Sequence, residues 1–304
     1  MTALAVSASM AVGASAATAQ APPAPAGVQS AIDAIVGQPV YAHSVWGYEV
    51  ADAQTGEVLL ASNPDKMFVT GSILKLYATA TALDTLGPGH RFRTPVFRRG
   101  RVAGGTLRGD LVLVGSGDFS FGLRDRPDGT LAFNSMPEID HNYADTGLPG
   151  AALVPGADPL AGVEDLAAQV RAAGVRRVAG DVVVDDRLFR AFDGWPDGVM
   201  SAIQVNENVV DVIATPTRAG QPAAVELHPK VAGTRLVSHV KTVAGDGGPL
   251  EVDRPRPGVV RIRGEIGAGS DPILSISHVP DPAAFARSAF VQALRRAGVR
   301  VDAR

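Results

Sequence analysis

Between residues 96 and 276 the chain is cut into short apolar segments by turn residues. "LRGDLVLVGSGD", "RRVAGDVVVDDRLF" and "VNENVVDVIATPT" are examples, each flanked by glycine, proline, asparagine or aspartate. Short runs rich in β-branched residues and bounded by such breakers specify strands. Residues 96 to 265 are therefore expected to form a mainly β domain. Two segments carry helical spacing instead. "DPLAGVEDLAAQVRAAGV" is amphipathic and closes on Gly174. "DPAAFARSAFVQALRRAGV" places Asp281 as cap, Pro282 at the first helical position and Gly298 just past the end. The 304 residues, 46% apolar and 19% charged, suffice for one large domain or two ordinary ones.

The preceding region has a different texture. "VQSAIDAIVGQPV" reads as a short helix, and "SVWGYEVADAQTGEVLLASN" as two strands joined by a tight turn, with Gly56 at a position that wants positive φ. Then comes "MFVTGSILKLYATATALDTLG". Thr70, Gly71 and Ser72 are cap-type residues, the run from Ile73 to Leu86 favours helix, and Gly87-Pro88-Gly89 ends it. Ile73, Leu76, Ala80 and Leu83 recur at helical spacing, so one broad face of this helix is expected to be buried.

Composition narrows the chemistry. The net charge is −3 and the pI about 6.1, which argues against a nucleic-acid partner. The absence of cysteine excludes disulfides, thiolate zinc sites and cysteine nucleophiles. The six histidines are scattered and no His-Glu-x-x-His spacing occurs, so a metal hydrolase is not expected. Four of the 28 basic residues are lysine (66, 75, 230 and 241), a bias typical of a GC-rich genome. Arg98, Arg99 and Arg101 form a basic cluster suited to an anionic cell wall, or simply to a solvated loop.

Ser72 and Lys75 are the candidate catalytic pair. A serine hydroxyl becomes a good nucleophile only when a base takes its proton. Positions i and i+3 share a helix face, so Lys75 can reach Ser72 Oγ. A partly buried lysine loses affinity for its proton and can serve as base. The helix N-terminus favours developing negative charge, and the Ser72 N–H suits an oxyanion. The plain alternative is a helix cap beside a solvated lysine. A Ser-His-Asp hydrolase using His43 or His278 is disfavoured because no Gly-x-Ser-x-Gly elbow is present. Asn206, Glu207 and Asn208 suit a turn, or else a cleft wall in which Glu207 activates water; Asp118 in "GSGD" likewise suits a turn.

Several segments in order resemble the class C low-molecular-mass penicillin-binding proteins, the D-alanyl-D-alanine carboxypeptidase/endopeptidase family. They are "DAQTGEVLLASNPDKMFVTGSILKL", "LRGDLVLVGSGD" (with Phe119 where proline often stands), "DPLAGVEDLAAQVRAAGVRRVAGDVVVDDRLF", "VNENVVDVIATPT" and "VPDPAAFARSAFVQALRRAGVRV". The resemblance implies an α+β serine transpeptidase/β-lactamase-like domain, residues 31–95 and 266–304. The mainly β domain, residues 96–265, would be inserted after the Ser-x-x-Lys helix. It implies acylation of Ser72 with Lys75 as base, peptidoglycan stem peptides as substrate, β-lactams as acylating inhibitors and no cofactor. The inserted domain argues against an ordinary β-lactamase.

The family's Ser-x-Asn and Lys-Thr-Gly motifs do not occur in these residues. Lys241-Thr242-Val243 is the nearest approach; it precedes the returning helix and has valine for glycine, so it reads as a strand of the inserted domain. The chain stops where the family turns towards Ser-x-Asn, so the transpeptidase-like domain is expected to be incomplete and substrate-holding residues cannot be assigned. The rival reading is a wall-binding or scaffold protein lacking a finished cleft. Residues 1–21 resemble an export signal, with Ala17-Thr18-Ala19 and Ala19-Gln20-Ala21 as cleavage sites, followed by a Pro/Ala linker at 22–30. A membrane anchor competes, but the run is Ala/Ser-rich and barely long enough; no lysine or arginine precedes Lys66, so the start is expected to lie upstream. Removal of the leader would leave an exported chain with no integral span.

Overall fold

The computed structural model describes residues 27–134, 139–140, 151–194 and 198–302. The expected leader, and the linker up to residue 26, lie outside them. The chain divides into two compact units at His90/Arg91.

In the first unit, α1 (Val28–Val36) precedes an antiparallel hairpin of β1 (Tyr48–Ala51) and β2 (Val58–Ser62). The hairpin turn is built by Asp52, whose Oδ1 accepts the Thr55 N–H at 2.7 Å, the Gln54 N–H at 2.9 Å and the Thr55 hydroxyl at 3.0 Å. The same bonds, that from the Thr55 N–H foremost, hold the carboxyl below the usual range. Gly56 takes the positive φ expected of it, 74°. Residues 71–73 form one 3-10 turn that leads into α2 (Leu74–Leu86).

No residue between 27 and 90 is buried. This differs from the buried helix face expected of α2, where Leu76 is 71% and Leu83 52% exposed. The physical reason is thickness. Two helices and a two-stranded ribbon supply too little second layer to enclose a core.

The second unit is α+β and mainly β. β3 (Val96–Ala103) and β4 (Thr106–Val114) form an antiparallel hairpin. Two short strands, β5 (Ile139–Asp140) and β6 (Ala151–Ala152), pair in parallel. Next come α3 (Ala161–Ala172), β7 (Arg177–Val178) and β8 (Val182–Asp185), then β9 (Phe192–Asp193) against β10 (Val199–Met200). After β11 (Val209–Thr215), β12 (Ala224–His228), β13 (Arg235–Val243), β14 (Glu251–Arg256), β15 (Val259–Gly267) and β16 (Ile273–His278), the chain ends in α4 (Pro282–Arg296) and β17 (Arg300–Val301).

Three sheets organise these strands. β4 is the spine of a five-stranded sheet, bonded to β3 on one side and to β7 and β8 in succession on the other, with β17 beyond β7. β11 is the centre of an antiparallel sheet between β12 and β16, and β15 is the centre of a mixed sheet, parallel to β13 and antiparallel to β14. Alternate residues of β4, Leu107, Leu111 and Leu113, are buried, and α3 and α4 supply Val163, Ala167, Phe290 and Leu294 to the same core. Asp281 caps α4 by accepting the Ala284 N–H at 2.9 Å, and Gly298 at φ 78° ends it, as the sequence specifies.

The last helix and strand pack within the second unit, Arg91–Arg304. The cause is apolar burial. α4 buries Phe285, Ala289, Phe290 and Leu294 beside α3 and β8, and Val301 then extends the sheet next to Val178.

Gly100 and Gly109 face each other across β3 and β4, with φ of 135° and 148°. A Cβ on Gly109 would stand 1.9 Å from the Arg99 carbonyl oxygen, and one on Gly100 2.3 Å from that of Arg108. Gly104, in the hairpin turn, has φ 54° and open space around it. Gly109→Ala is therefore expected to cost on the order of 3–5 kcal/mol, combining a glycine-only conformation with backbone overlap. Gly104→Ala costs about 1–2 kcal/mol, from backbone handedness alone. Denaturant melts of the two variants measure the difference. Limited proteolysis gives a second check. Cleavage is expected first within residues 27–90, leaving a protected fragment that begins near Arg91.

Candidate active site

Ser72 stands in the 3-10 turn, and Lys75 lies in the first turn of α2. Gly71 makes the entry possible. Its φ of 51° is left-handed, which glycine adopts without strain. The chain thus swings into the helix with Ser72 and Lys75 three residues apart on one face. Lys75 Nζ donates to Ser72 Oγ at 3.2 Å. Both side chains are exposed. No side chain caps the 3-10 turn or α2, so the serine oxygen is engaged by the lysine and not by helix N–H groups.

The other residues raised by the sequence fall elsewhere. Asp118 Oδ1 accepts from the Phe121 N–H at 3.0 Å and from the Ser120 N–H and hydroxyl at 3.2 Å, which makes it a turn residue. Lys241 and Thr242 lie on β13, as expected of a strand segment. Thr242 is fully buried, its hydroxyl accepting the Thr217 N–H at 3.0 Å.

Asn206, Glu207 and Asn208 form a left-handed turn just before β11, with φ of 56°, 50° and 64°. All three are buried, at 1–2% exposure. Asn206 Nδ2 donates to the Val209 carbonyl at 2.9 Å and to Asp211 at 3.1 Å, and Asn208 Nδ2 donates to the Val199 carbonyl. The idea of Glu207 as a water-activating base is corrected here. Its carboxylate is held in a fork by Arg124 Nε and Nη2, the latter at 3.2 Å. Arg124 is itself 5% exposed, donates to the Ala132 carbonyl at 3.1 Å and stacks over Phe133. A carboxylate so buried and paired serves as the counter-charge of Arg124. Sequence reasoning missed Arg124. It sits 83 residues from its partner, in a loop whose composition gives no sign of a buried cation.

Comparison with known proteins agrees with this frame. The model of the D-Ala-D-Ala carboxypeptidase 3 (S13) family matches residues 28–304. The chain belongs to that family. A D-alanyl-D-alanine carboxypeptidase of an Actinomadura species is 30% identical over 295 residues, covering 89% of this chain and 47% of the relative. The crystal structure of penicillin binding protein 4 (dacB) from Haemophilus influenzae superposes with a TM-score of 0.59 at 16% identity, covering 84% of this chain and 51% of that one. The same protein complexed with a novel β-lactam gives 0.55 at 15% identity, covering 83% and 50%. The chain spans about half the length of these relatives. The structural matches establish the α+β fold, and Ser72 and Lys75 lie inside the family match.

The Arg124–Glu207 pair yields a test of the second unit's framework. Arg124→Met strands a buried carboxylate and is expected to cost about 3–5 kcal/mol. The double change Arg124→Met with Glu207→Leu should recover most of that loss, because two matched apolar side chains remove both charges. Urea denaturation midpoints of the three proteins read the coupling. A double variant no more stable than Arg124→Met would contradict it.

Proposed function

We propose that this chain carries the nucleophile and base of a serine-type D-Ala-D-Ala carboxypeptidase/endopeptidase acting on peptidoglycan stem peptides. The supporting observation is the 3.2 Å contact between Lys75 Nζ and Ser72 Oγ at the start of α2. In this reading Lys75 acts as base and takes the Ser72 hydroxyl proton along that line. Oγ attacks the carbonyl of the penultimate D-alanine, and D-alanine, or the linked strand, leaves with a proton. Water then hydrolyses the Ser72 ester and regenerates the hydroxyl. β-Lactams would acylate the same oxygen. The catalytic assignment is Ser72 and Lys75, with no cofactor.

Residue choice supports the base. Lysine can give up its proton, whereas arginine stays charged at any working pH. In a chain that uses lysine at only four of 28 basic positions, lysine stands at the one position a turn from Ser72.

Residues 1–21 would be the leader and 22–30 its linker, giving an exported, periplasmic or extracytoplasmic protein, with 96–265 an insertion behind the Ser72 helix. Among the described residues no helix is long and apolar enough to cross a membrane.

The test is labelling by a fluorescent penicillin. Wild type should acquire the label on the peptide containing Ser72, and Ser72→Ala should abolish it. Lys75→Ala should slow acylation by about 10²–10⁴-fold, the range for loss of a positioned base. Labelling that survives Ser72→Ala would refute the assignment. Labelling without D-alanine release from a stem pentapeptide would favour the binding-protein reading.

A further inference from the structure

The arginines of the β3–β4 hairpin do not lie in a loop. They lie on strands, and the register places them together. Directly opposed residues share a face of a sheet, and residues two apart along a strand do likewise. Arg101 is opposite Arg108, and Arg99 is opposite Asp110. On the other side of β4, Thr106 is opposite Arg177, which is opposite Arg300 on β17. The intervening residues Leu107, Val178 and Val301 are buried. The open face of the five-stranded sheet therefore carries Arg99, Arg101, Arg108, Arg177 and Arg300. All five are exposed.

The acidic residues do not balance them. Asp110 Oδ2 takes Arg99 Nε at 3.1 Å and Nη2 at 2.5 Å. Asp302 takes Arg177 at 2.5 and 2.8 Å and Arg300 at 2.9 Å. On the β3, β4, β7 and β17 part of this face two carboxylates against five guanidinium groups leave three positive charges, and Asp185, farther along on β8, is matched by Arg187, in a chain whose net charge is −3. Arg101 and Arg108 have no acidic partner among the described residues. Like charges directly opposite each other weaken a strand pair. An external anion offsets that cost.

We propose that this face is a docking surface for a linear phosphodiester polyanion of the cell envelope. The envelope as its source rests on the export reading above; the charge chemistry does not. Guanidinium groups bind phosphate oxygens in two-point fashion, which suits arginine over lysine at every position of the strip. Four strands at a spacing of about 4.8 Å give a strip on the order of 15 Å wide, enough for several successive charges of a flexible chain. The surface is independent of Ser72, so penicillin labelling neither supports nor sinks it.

The experiment titrates the full chain against fluorescein-labelled inorganic polyphosphate and reads anisotropy at several salt concentrations. Binding is expected at low salt. The logarithm of affinity should fall with the logarithm of salt at a slope near −2, as three uncompensated charges give at about 0.7 each for a single-stranded polyanion. Arg101→Glu with Arg108→Glu should weaken binding at least tenfold. Arg101→Lys with Arg108→Lys should lose less, since charge remains while the two-point geometry goes. Arg218→Glu, an exposed change outside the strip, should leave affinity unchanged. Circular dichroism melts check that each variant folds. Absence of binding, an equal loss with Arg218→Glu, or tighter binding of polyglutamate than of polyphosphate would overturn the proposal.

Discussion

A charge withdrawn from water has to be met inside the fold, and in this chain that demand falls on Glu207. Its carboxylate is buried, held on a left-handed turn, and answered by the Arg124 fork. The strain of three consecutive left-handed residues costs on the order of 1–3 kcal/mol each and persists only where surroundings over-determine it. Here the surroundings are identifiable. Asn206 ties the turn to β11, Asn208 ties it to β10 through the Val199 carbonyl, and the Val279 N–H reaches the Asn208 carbonyl at 2.9 Å. β11, the central strand of its sheet, starts at the next residue. One turn thus sets the entry of a core strand and pins the segments on either side of it.

The elements legible in the sequence were those whose cause is local. α4 is announced by Asp281, Pro282 and Gly298, and all three perform the capping and stopping that their chemistry prescribes. The Asp52–Gly56 turn is legible for the same reason. The Arg124–Glu207 pair is not, because nothing within several residues of either partner distinguishes a buried ion from a solvated one. The pairing of Gly100 with Gly109 is likewise invisible until register is known. Each glycine alone suggests only a turn; opposed across two strands, they let the backbones approach where side chains cannot fit.

The exposed face of α2 illustrates the opposite failure. Period and composition predict a buried helix, and the period is present. Burial, however, is a property of what packs against a helix, and residues 27–90 by themselves supply no such layer. The candidate pair at the head of the helix was legible for a reason that burial does not touch. Ser72 and Lys75 are placed by a glycine at φ 51° and by the i, i+3 geometry of one helical turn. Local backbone chemistry suffices to bring Nζ to Oγ.

The two kinds of basic residue separate along the same line. Arginine in this chain is used where a permanent charge and a planar fork are wanted: against Glu207 in the core, against Asp110 and Asp302 on the open sheet. Each of those roles would be weakened by a group that could lose its proton. At position 75 the requirement is inverted, since a base must be able to exist in the neutral form. A compositional drift towards arginine would convert such a position as readily as any other unless the chemistry there forbade it. A Lys75→Arg variant keeps charge and reach, so its fate in acylation separates a proton acceptor from a mere cation. Full activity would mean that Lys75 acts by charge alone, and loss comparable to that of Lys75→Ala would mean that the proton is what matters.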